Sequence, residues 1–196
     1  MIPAKEALEQ ALRERQGAEL TARFSAAAVA VCGLGGLGSH IAGFLARAGV
    51  GRLILIDFDR VDLTNLHRQQ YKASQVGRYK TEALAENLRE AAPYLSLELR
   101  TDVICEALDE AAAKAMLVNT VLEQLPEKYL VAASGMAGLG SANAIHTRRL
   151  TGRFYLCGDG VSDVADGIGL VDPRVALCAA HQAHMVLRIL SGHFEP

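Results

Sequence analysis

The stretch VAVCGLGGLGSHIAGFLARAGVGRLILID, which covers residues 29–57, decides the fold. A short apolar segment, Ala26 to Gly33, opens directly into a glycine-rich turn, as buried parallel strands do. Apolar residues then recur at helical spacing from Ser39 to Gly51, and a second apolar strand, Arg52 to Asp57, ends in an acid. Because neighbouring parallel strands need a crossover between them, this pattern predicts a Rossmann-like α/β fold.

The turn after the first strand has the spacing Gly-x-Gly-x-x-Gly. Its residues are Gly33, Leu34, Gly35, Gly36, Leu37 and Gly38. Glycine lets the chain turn tightly and lets a phosphate approach the backbone, while the helix N-terminus that follows attracts the anion. Asp57 ends the second strand, where a carboxylate can accept hydrogen bonds from ribose hydroxyls or can cap the following loop. The pattern predicts a nucleotide site and leaves both ATP and NAD open.

Apolar patterns along the rest of the chain predict further elements. They are helices over 80–91, 109–125 and 174–191, and strands over 96–100, 103–108, 129–134, 144–150 and 153–158. The start of the chain, MIPAKEALEQALRERQ, predicts a charged N-terminal helix. We expect a three-layer sandwich around a mainly parallel sheet, with an antiparallel extension at the C-terminal end.

One junction does not fit this scheme. Only two residues separate the strand predicted over 96–100 from that over 103–108, whereas a parallel crossover takes about a dozen. Two interpretations stay open. Either one long bent strand runs from Leu97 to Leu108, or a crossover segment is missing from the chain.

Composition limits the classes of function. With 196 residues, of which 51% are hydrophobic and 21% charged, the chain suits one globular domain. The net charge is −2 and the basic residues are scattered, so no cluster of positive charge is available to attract the phosphate backbone of a nucleic acid. No apolar run approaches the roughly 20 residues that a membrane span requires, and the charged N-terminus does not resemble a signal peptide. We therefore expect a cytoplasmic protein that binds neither nucleic acid nor membranes.

The cysteines occur singly, so no Cys-x-x-Cys pair is available to bind zinc. They are Cys32, Cys105, Cys157 and Cys178. Their apolar neighbours predict reduced thiols in the core. We expect no zinc site.

The residues after Asp57 make the sequence recognisable. The loop GLGGLGS (33–39) followed by DFDRVDLTNLHRQ (57–69) resembles the ThiF/MoeB family of carrier-protein adenylyltransferases, which are relatives of the ubiquitin-activating enzymes. The resemblance continues in VGRYKTEAL (76–84) and EALDE (106–110). The C-terminal half resembles the shorter ThiF subgroup of thiamine biosynthesis.

The resemblance implies ATP and Mg²⁺ as ligands and a ThiS-like sulfur-carrier protein of ubiquitin fold as partner. The carrier's C-terminal glycine would be activated as an acyl-adenylate. The implied catalytic residues are Arg68, Lys80 and Asp109, the last being associated with the metal. The implied nucleotide-binding residues are Gly33, Gly35, Gly36, Leu37, Gly38, Asp57, Asp59, Asn65, Arg68, Gln69, Lys80 and Asp109.

The same resemblance divides the single domain into an N-terminal helical arm (1–25), a nucleotide-binding half (26–125) and a carrier-binding and dimerisation half (126–196). It also implies a homodimer in which an arginine of the partner's N-terminal helix, corresponding to Arg13 or Arg15, completes each ATP site.

Several implied residues have simpler alternatives. Lys80 could be a solvated helical lysine, and Arg68 could pair with Asp59 or Asp62. Asn65 and Asp109 could each cap a helix. An NAD-linked oxidoreductase or an inactive carrier-binding module is therefore an alternative to the adenylyltransferase.

The chain departs from the family pattern in the short segment before Cys105, described above, and at two further points. Asp109 is followed by Glu110 where the family commonly has Asn. The loop from Asp159 to Gly169 contains no reactive cysteine, and nearby Cys157 is more typical of a core thiol. The pair His181 and His184 has no third metal ligand in view, which favours two helix-face residues.

Overall fold

The computed structural model describes residues 2–96 and 103–196. The helices are Lys5–Gln16 (α1), Ala18–Ala26 (α2), Gly36–Arg47 (α3), Lys80–Ala91 (α4), Ala111–Gln124 (α5) and Asp172–Leu190 (α6). The strands are Ala28–Cys32 (β1), Arg52–Ile56 (β2), Val103–Glu106 (β3), Tyr129–Ala133 (β4), His146–Arg149 (β5) and Phe154–Gly158 (β6).

These strands form one sheet in the order β2-β1-β3-β4-β6-β5. All neighbouring pairs are parallel except β5 with β6, which are antiparallel. The prediction of a mainly parallel Rossmann-like sheet with an antiparallel C-terminal extension is confirmed.

Side chains alternate between the two faces of the sheet, and each face is covered by helices. Val29, Val31 and Leu53 belong to a large core cluster that includes buried residues of α3, α4 and α6. On the opposite face, Ala30 and Ile104 belong to a smaller cluster with Val121 of α5. The predicted three-layer sandwich is therefore confirmed.

Several predicted boundaries were wrong by a few residues. The N-terminal region contains two helices, because Gly17 has a φ of 89° that interrupts the helical path between α1 and α2. Helix α3 begins at Gly36 inside the glycine turn, and α6 begins at Asp172, where Pro173 suits the first helical turn. Strand β3 ends at Glu106, so the strand predicted over 103–108 is too long.

The junction between the strands predicted over 96–100 and 103–108 lies mostly outside the described residues. Ser96 forms an isolated parallel bridge with Arg52, and its backbone N–H donates to Gly51 O at 3.0 Å. Residue 96 therefore lies beside β2, at the amino end of the sheet. The strand predicted over 96–100, the bent strand from Leu97 and the missing crossover concern residues 97–102, which lie outside the described residues.

Within residues 2–96 and 103–196, no helix is both long and apolar enough to cross a bilayer.

Candidate functional site

The glycine turn lies at the carboxyl end of β1 and is closed by backbone contacts. A β-carbon on Gly33, whose φ is 89°, would lie 2.5 Å from Ala107 O. A β-carbon on Gly38 would lie 1.8 Å from Gly33 O. Such distances exclude any side chain at these two positions. The turn and the first residues of α3 present the backbone N–H groups and the positive helix end that bind an anion.

Asp57 links the end of β2 to this turn. Its buried carboxylate accepts a hydrogen bond from the N–H of Leu34 at 2.6 Å and one from the N–H of Asp59 at 2.7 Å. The second bond is local capping of the loop, as the alternative interpretation supposed. A carboxylate has roughly four acceptor positions, so two hydrogen bonds leave capacity for ribose hydroxyls.

Lys80 is not a solvated surface lysine. It is the first residue of α4 and only 6% exposed. Its Nζ donates to Asp59 Oδ2 at 2.7 Å and lies 4.0 Å from Asp57 Oδ2. The structure thus brings a buried cation against both acids of the loop after β2.

Arg68 and Asn65 form a hydrogen-bonded pair next to the glycine turn. Arg68 Nη2 donates to Asn65 Oδ1 at 2.7 Å, which corrects the alternative in which Arg68 pairs with Asp59 or Asp62. Asn65 is not the cap of its short 3-10 helix either, because Asp62 fills that position and accepts from the N–H of Thr64. A β-carbon on Gly36 would lie 3.3 Å from Arg68 O, so the guanidinium projects from backbone that borders the turn.

Gln69 is buried in the same region. Its Nε2 would lie 3.8 Å from a β-carbon on Gly35, and its Oε1 has no hydrogen-bond partner among residues 2–96 and 103–196. Nearby, the N–H of Gln70 donates to Ser39 Oγ at 3.1 Å and so fixes this segment to α3. A buried acceptor without a partner is uncommon and is compatible with a ligand or a water at this point.

Asp109 is exposed at the carboxyl end of β3. It does not cap α5, whose N-cap is Glu110 without a side-chain bond. The turn before it is held by Glu106, a buried carboxylate that accepts from the N–H of Leu108 at 2.7 Å and from Lys114 Nζ at 2.6 Å. Ala107 O and Leu108 N would lie 2.5 Å and 2.9 Å from a β-carbon on Gly33, so Asp109 directly follows a segment that is in close contact with the glycine turn.

These residues share one edge of the sheet because the carboxyl ends of parallel strands meet there. The loops after β2, β1 and β3 carry Asp57, the glycine turn and Asp109 in that spatial order. The loops after β4 and β6 continue the row. At about 4.8 Å between strands, the row from β2 to β6 is about 20 Å long.

Comparison with known proteins identifies the family. A profile of the ThiF family matches residues 8–196. The chain belongs to the ThiF family. It is 31% identical to the adenylyltransferase and sulfurtransferase MOCS3 of Xenopus laevis, over 87% of this chain and 42% of that protein. It is 28% identical to the adenylyltransferase and sulfurtransferase UBA4 of Candida albicans, over 85% of this chain and 42% of that protein. The ThiF-family chain thus spans about two fifths of these relatives.

Solved structures show the same fold. The E. coli tRNA N6-threonylcarbamoyladenosine dehydratase TcdA, in complex with ATP, superposes with a TM-score of 0.84 at 20% identity, covering 98% of each chain. E. coli MccB with ATP superposes with a TM-score of 0.72 at 21% identity, covering 92% of this chain and 60% of that one.

The donors in the ThiF-family site fit a magnesium ion only together with a nucleotide. Among the described residues, no group of three His, Cys, Asp or Glu is arranged to hold a metal. Mg²⁺ is commonly held by one or two carboxylates together with substrate phosphates and water. Asp109 would be the protein's contribution to such a site.

The cysteines are core residues, as predicted. All four are free and buried. Burial raises the pKa of the Cys157 thiol to about 11, although a hydrogen bond with Thr147 partly opposes this. A thiol with so high a pKa is protonated at neutral pH and is a poor nucleophile. His181 likewise interacts within the fold, with Nδ1 3.2 Å from Thr147 Oγ1, and burial lowers its pKa.

Two ion pairs of the site could not be found by motif. One is Glu106 with Lys114, described above, and the other is Asp159 with Arg174, whose Nη2 donates to Asp159 Oδ2 at 2.6 Å. Phe58, 87% exposed between the two acids, and Tyr71, whose hydroxyl donates to Leu34 O at 2.7 Å, were also missed. The two aromatic residues stand within or beside the family motif, which was the available signal.

Replacing Asp159 by Asn is expected to make the free energy of unfolding fall less steeply as the pH is lowered. Burial alone would raise the pKa of this carboxyl, but hydrogen bonds from Ser162, Val161 and Arg174 outweigh it and lower the pKa from 3.8 to about 2. Because the pKa is depressed in the folded state, the stability it contributes is complete above about pH 4 and is lost as the pH falls towards 2. One proton contributes up to about 1.4 kcal/mol per pH unit.

Urea unfolding between pH 5 and pH 2 measures this effect. The wild-type curve should fall more steeply than that of Asp159→Asn, whereas exposed Asp166→Asn should follow the wild type. Equal slopes for Asp159→Asn and the wild type would contradict the expectation.

Proposed function

We propose that this chain is an ATP-dependent adenylyltransferase that activates the C-terminal carboxylate of a small sulfur-carrier protein. The observation that carries the proposal is the position of Lys80, which is 6% exposed and lies against Asp59 and Asp57 beside the glycine turn. Burying a cation costs free energy of desolvation unless opposite charges lie next to it. Together with Arg68, which borders the glycine turn at Gly36, Lys80 makes this end of the sheet edge suitable for a polyphosphate.

The nucleotide is proposed to bind along the first three loops of the edge. The backbone N–H groups of the glycine turn and the start of α3 receive a phosphate, and Asp57 accepts from the ribose hydroxyls. Exposed Phe58 offers an apolar ring next to that ribose position. Gln69, whose Oε1 has no partner in the described part of the chain, lines the turn at Gly35.

The proposed reaction needs electrostatic stabilisation and no protein nucleophile. An oxygen of the carrier's carboxylate forms a bond to the α-phosphorus of ATP while the bond to the bridging oxygen breaks, and pyrophosphate leaves with the electron pair. Negative charge on the phosphoryl groups is stabilised by Lys80 and by Arg68, which Asn65 orients through its Oδ1. Asp109 would hold Mg²⁺, which supplies further charge neutralisation to the polyphosphate.

The carrier is proposed to approach from the β4 and β6 side of the edge, where exposed apolar side chains lie in the loops after those strands. We propose a ThiS-like carrier of thiamine thiazole synthesis and a homodimer in which Arg13 or Arg15 reaches the partner's site. Both arginines are exposed on α1, which supports that role. An NAD-linked oxidoreductase loses its support with membership of the ThiF family.

ATP–pyrophosphate exchange tests the proposal. Exchange should require both ATP and a carrier that ends in Gly-Gly, and a carrier without its last glycine should give none. Arg68→Ala and Asp109→Ala should each lower the rate at least about tenfold, because the first removes a cation that faces the phosphates and the second removes the carboxylate that would hold Mg²⁺. Arg78→Ala is the matched control, since Arg78 forms a surface ion pair with Glu86.

Three outcomes would count against the proposal in different ways. No exchange with several carriers, from folded protein that binds a carrier, would indicate an inactive binding module. Tight NADH binding with weak ATP binding would indicate the oxidoreductase. Mass spectrometry of trapped adenylates that finds only a small carboxylate would replace the carrier as the substrate.

A further inference from the structure

Arg174 is an arginine that the family motifs do not assign, and it is almost completely enclosed. It lies in the first turn of α6 with 6% exposure. Its Nη1 donates to Gly140 O at 2.6 Å and to Ser141 O at 2.8 Å, while Nη2 donates to Asp159 Oδ2. One guanidinium therefore binds the loop after β4 and the loop after β6 at the same time.

Asp159 extends this connection into the second loop. Its Oδ1 accepts from the N–H groups of Val161 and Ser162, each at 2.9 Å. A β-carbon on Gly135 would lie 2.0 Å from the same oxygen, so the two loops are in close contact. The carboxylate is held in one orientation and fixes the backbone around it.

Two further hydrogen bonds tie these loops together. The N–H of Ala137 donates to Ser162 Oγ at 3.1 Å, and the N–H of Gly138 donates to Gly169 O at 2.8 Å. Between these tied points, Leu139 is 86% exposed and Val161 is 83% exposed. The fold thus holds a rigid backbone frame that presents apolar side chains to solvent at the carboxyl edge of the sheet.

The frame adjoins the nucleotide turn. Val175, the residue after Arg174, has its Cγ1 3.0 Å from the position of a β-carbon on Gly36. The loops after β4 and β6 follow those after β2, β1 and β3 along the same edge. With the nucleotide along the first three loops, as the proposed function has it, the carrier would reach the α-phosphate from the side of β4 and β6. The two loops held by Arg174 therefore border the path of the carrier.

We propose that Arg174 is a positioning residue for the C-terminal segment of the carrier, acting through the loops 135–141 and 159–169. This inference rests on the proposed function. Arginine suits the role because its planar fork directs several N–H groups at fixed angles, whereas a lysine ammonium is a point charge without that geometry. The chemistry of the partner is an extended peptide tail that ends in a free carboxylate.

A purely structural ion pair is the simpler alternative. Buried ion pairs often contribute little net stability, because the cost of desolvation offsets their attraction. In this pair Arg174 Nε is buried without a partner among the described residues, which adds a further cost. If the ion pair is purely structural, its loss should raise the KM values for the carrier and for ATP equally. The proposal predicts a rise in the KM for the carrier alone.

The test is Arg174→Lys, which keeps the positive charge and removes the planar guanidinium with its several N–H donors. We expect the KM for the carrier in ATP–pyrophosphate exchange to rise about tenfold, while the KM for ATP stays within about twofold. Hydrogen exchange should be faster over residues 135–141 and 159–169 and unchanged over 33–38. Arg149→Lys is the control, since Arg149 pairs with exposed Glu195 in the same half of the chain.

The results separate this inference from the proposed function. A wild-type protein without carrier-dependent exchange would overturn the proposed function and, with it, the role of Arg174. An active wild type together with an unchanged carrier KM in Arg174→Lys would overturn the inference alone. So would an equal rise in both KM values, since that is the result of general destabilisation.

Discussion

Replacement of Lys80 by Met is expected to lower carrier-dependent ATP–pyrophosphate exchange by about 10²–10³-fold. Methionine keeps the length and the apolar stem, so the buried position remains filled. The change removes the cation that lies against Asp59 and Asp57 and leaves those two acids facing the incoming phosphates. Loss of attraction and gain of repulsion therefore act in the same direction.

Lys72→Met is the matched control for this experiment. Lys72 forms its ion pair with Glu90 on the surface, where both side chains are about half exposed or more, so its loss should leave the exchange rate within about twofold. The unfolding free energy of both variants should be measured beside the rate. A Lys80→Met protein that is folded and retains most of its activity would show that the buried lysine only stabilises the loop after β2.

Replacement of Gly38 by Ala is expected to destabilise the protein by about 3 kcal/mol or more and to abolish ATP binding. The added carbon would lie 1.8 Å from Gly33 O and 2.8 Å from Gly33 C, both of which are backbone atoms of the nucleotide turn. Backbone cannot rotate aside as a side chain does, so either α3 or the turn must move.

Gly43→Ala, in the same helix, is the comparison. There the nearest atom to the added carbon is Nη1 of the flexible Arg47 side chain, at 3.3 Å. Alanine also favours the helix by about 1 kcal/mol relative to glycine, so this variant should be as stable as the wild type or slightly more so. Urea unfolding measures both changes, and similar losses in the two variants would contradict the close contact at Gly38.

The sequence was most informative where a local pattern sets the structure. Helix α4 has the bounds that were predicted, because its apolar spacing is regular and Pro93 follows it. The start of α3 was placed too late, since glycines carry no apolar signal. The prediction missed α2 although Gly17 is a residue type that commonly ends helices, and its φ of 89° separates α1 from α2.

In the candidate site, too, some residues are encoded by a local sequence pattern and others are not. The glycine turn, Asp57, Arg68 and Lys80 were predicted and lie together, because a short motif on consecutive loops encodes them. The bond from Arg174 to Asp159, by contrast, joins residues on different elements and depends on how α6 crosses the sheet. Only the folded chain shows such a pairing. The magnesium role of Asp109 and the arginines of α1 stay predictions.

The contact between Val175 and the glycine turn has a consequence for folding. The turn, residues 33–38, and the helix that packs against it, Asp172–Leu190, lie far apart in the sequence. Contacts of such long sequence separation form slowly, since a large loop must close first. The surroundings of the glycine turn are therefore completed only when α6 packs against it, which makes this turn one of the last parts of the sheet edge to reach its final environment.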